Sequence, residues 1–417
     1  MKFRPATLLC ALTLACACAA PAHAVSQVSQ TTLSSNAKRL ISYRHQRHLF
    51  VTADGRFHLV TNLSGQSGSS AALNLQSSDD GLVWTQQRKL GYTDANSVSD
   101  SALDGNVLTV VYQCSDGLVR LATATYDPAS KSWSNFTVEK VPRVASSYNA
   151  VNPSFTVDGN GNLWVAYVQE DTSTGNVGIV AYRKSADKGT WASAQQYFGD
   201  VNASAPFGYD KRSARLVTVP GGIGMLFSYG PDIYWTERKL KGGADLVWNS
   251  PTLMLPGTPD SDPMSSHFST VVDGAGNVFA AFTDAGNLYV NRRDAVTRQW
   301  YSTPQTVLSS TKNPAAKPVY AQLAWLGGTQ LALATNLATN TGVYLAQTSA
   351  GAGFKCAELA KHDGFDTTVY DFTEPRIELP AFPTGPVPLL QQFQTMDQSL
   401  QYAAGFSFDP ASPKGCN

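Results

Sequence analysis

A short pattern, an acidic or glycine turn followed by an apolar strand, recurs along almost the whole chain, and such periodicity constrains the fold more than any other feature. It reads ADGRFHLVTN, LDGNVLTVVY, VDGNGNLWVAY, PGGIGMLFSY, VDGAGNVFAAF, LGGTQLALAT and, degenerate, PTGPVPLLQQ. One strand position from each copy (His58, Leu108, Trp164, Met225, Phe279, Leu331, Leu389) gives spacings of 50, 56, 61, 54, 52 and 58. An aromatic after a polar turn forms a second landmark at Trp84, Trp133, Trp191, Trp248, Trp300 and Phe354, spaced 49, 58, 57, 52 and 54. Two landmarks share one period and one phase.

Each period holds four short strands. The copy beginning at Asn149 reads PSFTV, NLWVAYV, VGIVAYRK and WASAQQY, with Asp-Gly and Asn-Gly turns between β-branched and aromatic runs. Four-stranded units at a fixed period predict an all-β chain forming a single β-propeller, and the copies number seven. The seventh supplies only PRIELPAF, PLLQQFQT and SLQYAAGF, whereas VSQVSQTTL near the N-terminus is unassigned. An open sheet edge is a liability, so this N-terminal strand is expected to close the last blade. The chain has 31 basic and 31 acidic residues, 15% charged side chains and 10% aromatics. That balance argues against disorder and gives no electrostatic footprint for nucleic acid.

Lys2 and Arg4, an apolar stretch from Ala6 to Ala20, and Ala22-His23-Ala24 match a cleaved secretory signal over residues 1–24, with the propeller over 25–417. The stretch is too short for a membrane span, and the expected location is secreted or periplasmic. Three cysteines then remain. An oxidising compartment favours a bridge between Cys356 and Cys416, leaving Cys114 free. Neither metal-ligand spacing nor a cofactor motif is present, and a monomer is expected.

Ser77-Ser78-Asp79-Asp80-Gly81-Leu82-Val83-Trp84 fits S-x-D-x-G-x-x-W, with a shortened relative at Ser185–Trp191. The chain therefore resembles the sialidase-like Asp-box (bacterial neuraminidase repeat) propeller superfamily over its mature length. The resemblance implies structural roles: Ser77 and Asp79 cap the hairpin, Gly81 allows the turn and Trp84 tucks between blades. It also implies a carbohydrate partner. True sialidases of the family have six blades and an Arg-Ile-Pro motif; here the nearest string is Arg376-Ile377-Glu378, in the last repeat. Seven-bladed ulvan-type polysaccharide lyases are more similar, which implies an acidic polysaccharide as the substrate class.

Loops joining the outer strand of one blade to the inner strand of the next are long: RVASSYNAVN, DVNASAPFGYDKR, TPDSDPMSSH, NPAAKPVY and HDGFDTTVYDFTEPR. The phasing sends them to one rim of the central channel, and binding residues commonly sit on such loops. Tyr148, Asn149 and Asn152 come from the first, and Tyr209, Asp210 and Arg212 from the second. His267, Tyr320, Tyr370, Asp371, Glu374 and Arg376 follow, and His48 precedes the first inner strand. His58 occupies a strand position filled elsewhere by Leu, Trp and Phe, which marks a core histidine.

A glycosidase needs two facing carboxyl groups, about 5–5.5 Å apart for retention or about 6.5–9.5 Å for inversion. Asp210 and Glu374 are the pair the long loops offer. A lyase needs a base, a proton donor and a cation facing the substrate carboxylate; His267, Tyr209 and Arg212 or Arg376 supply these. Tyr148, Asn149, Asn152, Tyr320, Tyr370, Asp371 and His48 complete the expected substrate-binding set. A carbohydrate-active enzyme, a non-catalytic glycan-binding propeller and a protein-interaction scaffold all remain open, but the unequal loops favour one central site over seven equivalent ones.

Overall fold

The computed structural model describes residues 26–37, 39–41, 46–63, 71–93, 98–174, 177–193, 195–196, 213–229, 232–240, 248–257, 268–310, 317–337, 342–348, 353–362, 364–383 and 385–413. Two N-terminal strands come first, β1 (Ser26–Gln27) and β2 (Ser29–Ser35). Blade 1 is β3 (Leu49–Val51), β4 (Phe57–Leu63), β5 (Ala71–Ser78) and β6 (Thr85–Thr93). Blade 2 is β7 (Ser99–Asp104), β8 (Val107–Gln113) and β9 (Val119–Asp127), with its outer strand in two pieces, β10 (Ser132–Trp133) and β11 (Thr137–Lys140). Blade 3 is β12 (Tyr148–Val157), β13 (Leu163–Asp171), β14 (Val177–Lys184) and β15 (Gln195–Gln196).

Blade 4 is β16 (Ala214–Val219), β17 (Gly222–Tyr229), β18 (Asp232–Lys239) and β19 (Thr252–Leu255). Blade 5 is β20 (Phe268–Val272), β21 (Val278–Asp284), β22 (Asn287–Arg293) and β23 (Gln305–Ser309). Blade 6 is β24 (Pro318–Gly327), β25 (Gln330–Leu337), β26 (Gly342–Thr348) and β27 (Phe354–Lys361). Blade 7 is β28 (Tyr370–Glu378), β29 (Val387–Thr395) and β30 (Gln401–Phe408), completed by β2. The expected seven-bladed propeller is therefore observed, with every position of the first landmark on the second strand of its blade.

The N-terminal segment closes the ring as expected, with β2 antiparallel to β30 (Ser29 opposite Gly405, Ser35 opposite Gln401). It also does something the sequence did not announce. The two residues of β1 pair in parallel with β27, adding a fifth strand to blade 6. Residues 26–35 thus strap the last two blades together.

The core is a series of interfaces between neighbouring blades. One cluster buries Val151, Trp164, Ile179, Leu216, Ile223, Met225 and Phe227, from blades 3 and 4. Another buries Val60, Leu73, Leu75, Leu108, Val110, Tyr112 and Trp133, from blades 1 and 2. Period-2 alternation on twisted four-stranded sheets makes both faces of each blade apolar where neighbours stack. Between blades 4 and 5 an apolar cluster of Val217, Leu226, Trp235, Phe268, Val278 and Phe282 is joined by a buried ionic group: Glu237 pairs with Arg293, and it also accepts from Arg298 at 2.9 Å and from the Trp235 indole at 2.8 Å. Among the described residues no helix is long and apolar enough to cross a membrane.

Candidate functional site

Each blade places one polar residue at one level of the channel, six on the inner strands and His48 just before β3: His48, Asp100, Ser154, Arg215, Ser269, Gln322 and Glu378. The register defines the level, because their partners on the second strands are Val60, Val111, Ala166, Leu226, Ala281, Ala334 and Leu390. These side chains stitch adjacent blades. Asp100 accepts from the backbone amides of Arg47 (3.1 Å) and Phe155 (3.2 Å). Ser154 accepts from Leu216 at 3.2 Å and Ser269 from Leu323 at 3.1 Å. Glu378 of blade 7 accepts from the His48 amide at 3.3 Å. Buried polar groups demand partners, and at several of the blade junctions the neighbouring blade supplies them.

Arg47 plugs the middle of this ring. Its guanidinium donates to Gln322 Oε1 (2.6 Å), Ser269 Oγ (3.3 Å) and the carbonyls of Thr270 (3.0 Å), Leu379 (3.2 Å) and Leu323. Burial, and after it the nearby charge of Arg215, pull the Arg47 guanidinium down to about 10. Arg215 pairs with Asp100 across the channel. Gln46 spans the channel as well, donating to the Pro153 carbonyl at 2.8 Å and accepting at its own carbonyl from Gln322 at 3.1 Å.

His48 lies in this interior. It is fully buried, with Nδ1 2.6 Å from Glu378 Oε1 and Nε2 2.8 Å from the Ser99 carbonyl. A carbonyl only accepts, so Nε2 carries a proton, and an ionised Glu378 requires one on Nδ1 too. Burial opposes the imidazolium, but the charge and hydrogen bond of Glu378 outweigh it and raise the His48 pKa. His48 is therefore a member of the polar ring, and the substrate-binding role expected from sequence is corrected, because its ring is buried with both nitrogens engaged. His58 is the opposite case. Its Nδ1 accepts from Ser77 Oγ (2.7 Å) and the Trp133 indole (3.1 Å), its Nε2 donates to Thr52 at 3.0 Å, and burial drives its pKa to about 3.

The loop-bearing mouth lies where the inner strands begin. Three of its strands are irregular there, with register shifts at Val151/Ser154 in β12, Val319/Ala321 in β24 and Asp371/Arg376 in β28. Two of these hold a left-handed residue other than glycine, Asn152 (φ 52°) and Tyr320 (φ 54°), and both belong to the expected substrate-binding set. Such a backbone costs a bulky side chain roughly 1–3 kcal/mol and concentrates at functional positions, and bulges re-aim side chains. The bulge leaves the Tyr320 ring half-buried, with the Arg376 guanidinium 4.4 Å from its centroid. The structure thus brings Tyr320 and Arg376 together.

Arg376 itself is only 3% exposed, which places it behind the tyrosine. Tyr148 and Asn149 are half-buried and Asn152 buried at the start of β12, where Asn149 packs so closely on Gly117 that a Cβ there would collide with it. Tyr370 belongs to an aromatic cluster, its ring centroid 5.2 Å from Phe393 and 5.7 Å from Tyr402. Asp371 accepts from Gln394 at 3.0 Å. Tyr209, Asp210, Arg212, His267 and Cys416, and the side chain of Glu374, lie outside the described residues. Cys114 forms no disulfide.

The turn over residues 77–84 differs from expectation by one position. Asp80, not Asp79, caps it: Oδ1 accepts from the amides of Leu82 and Val83, both at 2.8 Å, and from Ser78 Oγ at 2.9 Å. Ser78, not Ser77, receives the Gly81 amide at 2.9 Å, while Ser77 serves His58. Asp79 is 67% exposed, 3.4 Å from Arg56. Gly81 (φ 77°) and Trp84 behave as expected, the indole donating to the Gly81 carbonyl at 2.9 Å.

Sequence reasoning missed Arg47, Asp100, Arg215 and Glu378. A signal was present: the seven ring residues are spaced 52, 54, 61, 54, 53 and 56, a third landmark in phase with the other two.

No family model matches the chain, and no curated protein does. Solved structures do. The fucose-specific lectin from Aleuria aurantia is 12% identical with a TM-score of 0.47, over 79% of this chain and 99% of that one. An alpha-L-arabinanase of Penicillium chrysogenum with arabinobiose is 12% identical with a TM-score of 0.47, over 93% and 99%. The Trypanosoma rangeli sialidase is 13% identical with a TM-score of 0.46, over 75% of this chain and 57% of the sialidase. At these values no residue correspondence follows, and the propeller rests on this chain's own strand pairing.

Proposed function

We propose that the chain is a secreted or periplasmic carbohydrate-active propeller of the Asp-box type that engages an acidic glycan at one site on the loop-bearing mouth. The observation that carries this reading is Tyr320, held in a left-handed conformation with Arg376 against its ring. Strain at a bulge needs a return, and an aromatic platform fixed from behind by a cation is a surface on which a sugar ring stacks. The residue types at this mouth differ from blade to blade, which supports one site instead of a repeated lectin pattern. Arg212 supplies the grip on a carboxylate, with two parallel hydrogen bonds that a lysine does not reproduce.

Binding and turnover separate by experiment. Tyr320→Ala weakens binding of an acidic oligosaccharide about tenfold, the loss of one stacking contact, with the melting temperature unchanged or raised by relief of strain. His267→Ala abolishes turnover and leaves binding in place if the site performs an elimination, read as appearance of an unsaturated uronate by its ultraviolet absorbance. Binding without product identifies a glycan-binding propeller. Failure to bind acidic or neutral glycans overturns the reading and leaves an interaction scaffold.

A further inference from the structure

The other end of the channel holds a cavity of about 740 Å³. It opens among the hairpin turns that follow the inner strands, on the face opposite the long loops, and its volume falls within the range of small-molecule sites. Its walls are largely apolar, with Leu49, Val51, Phe155, Val217, Val272 and Phe382 among them. Its polar groups are Arg47 and Arg215 with Ser101, Thr156, Thr218 and Thr270, while Asp104 is exposed at the turn.

The charges there do not balance. Asp100 is the carboxylate that meets Arg215, and the Arg47 guanidinium donates to neutral oxygens alone among the described residues. Glu378 is taken by His48. One buried guanidinium, Arg47, and one partly buried guanidinium, Arg215, therefore face one carboxylate, and buried charge without a counter-charge is costly. Two donors are also left over. Arg215 Nε is buried without a partner, and so is the hydroxyl of Thr270, a residue 4% exposed. Both residues line the cavity.

We propose that this cavity binds a small organic carboxylate with an apolar body, its head received by Arg215 and Thr270 and its tail by the apolar walls. A guanidinium fits a carboxylate in shape as well as charge, and the hydroxyl supplies a further donor. The apolar lining selects against sugar acids, which sets this site apart from the glycan mouth.

Titration calorimetry on the full chain with sodium octanoate, octanol and octylammonium tests it. Octanoate binds saturably, and the alcohol and the ammonium bind at least about tenfold more weakly, because the discriminating hydrogen bonds are to a charged group. Arg215→Gln weakens octanoate about tenfold or more. Since Arg215 also serves Asp100, Ala102→Trp is the second variant: Ala102 is exposed on the cavity wall, outside the polar ring, and the indole blocks entry with the melting temperature unchanged. Octanol matching octanoate, unchanged octanoate affinity in Ala102→Trp, or galacturonate competing with octanoate each overturns the proposal. Glycan binding at the opposite mouth is measured in the same variant and stays intact, so the two sites fail separately.

Discussion

At the scale of single residues, two buried histidines set opposite demands on pH. The raised pKa of His48 contributes stability that is complete below its unfolded value of about 6.5 and is lost as pH rises through the folded value. His58, held to about 3, acts in reverse: below about 6.5 the unfolded chain takes up a proton that the folded chain refuses. Urea unfolding across pH is expected to show stability falling on both sides of about 6.5, and His48→Gln to flatten the alkaline limb alone. An unchanged alkaline limb in that variant would disprove the imidazolium assignment. His58 was legible as core because other repeats place Leu, Trp and Phe at its position. His48 was not, because a charged stretch before a strand looks the same in a sequence whether it meets water or six other strands.

At the scale of elements, the turn before each outer strand keeps its backbone better than its letters. A left-handed residue stands two or three positions before the tryptophan in four blades: Gly81, Lys131 (φ 50°), Gly189 (φ 62°) and Arg298 (φ 61°). Asp127 and Asp294 cap two of these turns as Asp80 caps the first, Asp294 accepting from Val296 and Thr297 at 3.0 and 2.9 Å. The motif search found one complete copy because lysine and arginine replace glycine at two of the positions. It placed the cap one residue early because Ser-Ser-Asp-Asp admits two registers. Asp80→Ala is expected to lower the melting temperature, since three donors lose their acceptor, whereas Asp79→Ala changes stability by less than about 0.5 kcal/mol. Equal effects in thermal denaturation would contradict the shifted register.

At the scale of the whole molecule, the blade count and ring closure were legible because stacking identical units forces their landmarks into phase, and closure follows from an unpaired edge. The chemistry of the mouth was less so. Phasing tells which loops share a rim, but it does not tell which side chains turn inward, as Tyr370 and His48 do. Deleting residues 26–35 removes the outer strand of blade 7 and the fifth strand of blade 6 together. The variant is expected to melt well below the parent and to aggregate through two exposed edges; a variant as stable as the parent would refute the strap.

That strap also orders events in time. Thr31 of β2 bonds the carbonyl of Ala403, 372 residues further along, so β2 precedes its partners by most of the seven blades. Contacts of such separation form slowly and late. Until β30 exists β2 has no strand to pair with and the ring stays open, although β27 of blade 6 is already there to receive β1. Ring closure thereby waits on blade 7, and a chain that lacks β30 leaves β2 and β29 each with an unpaired edge.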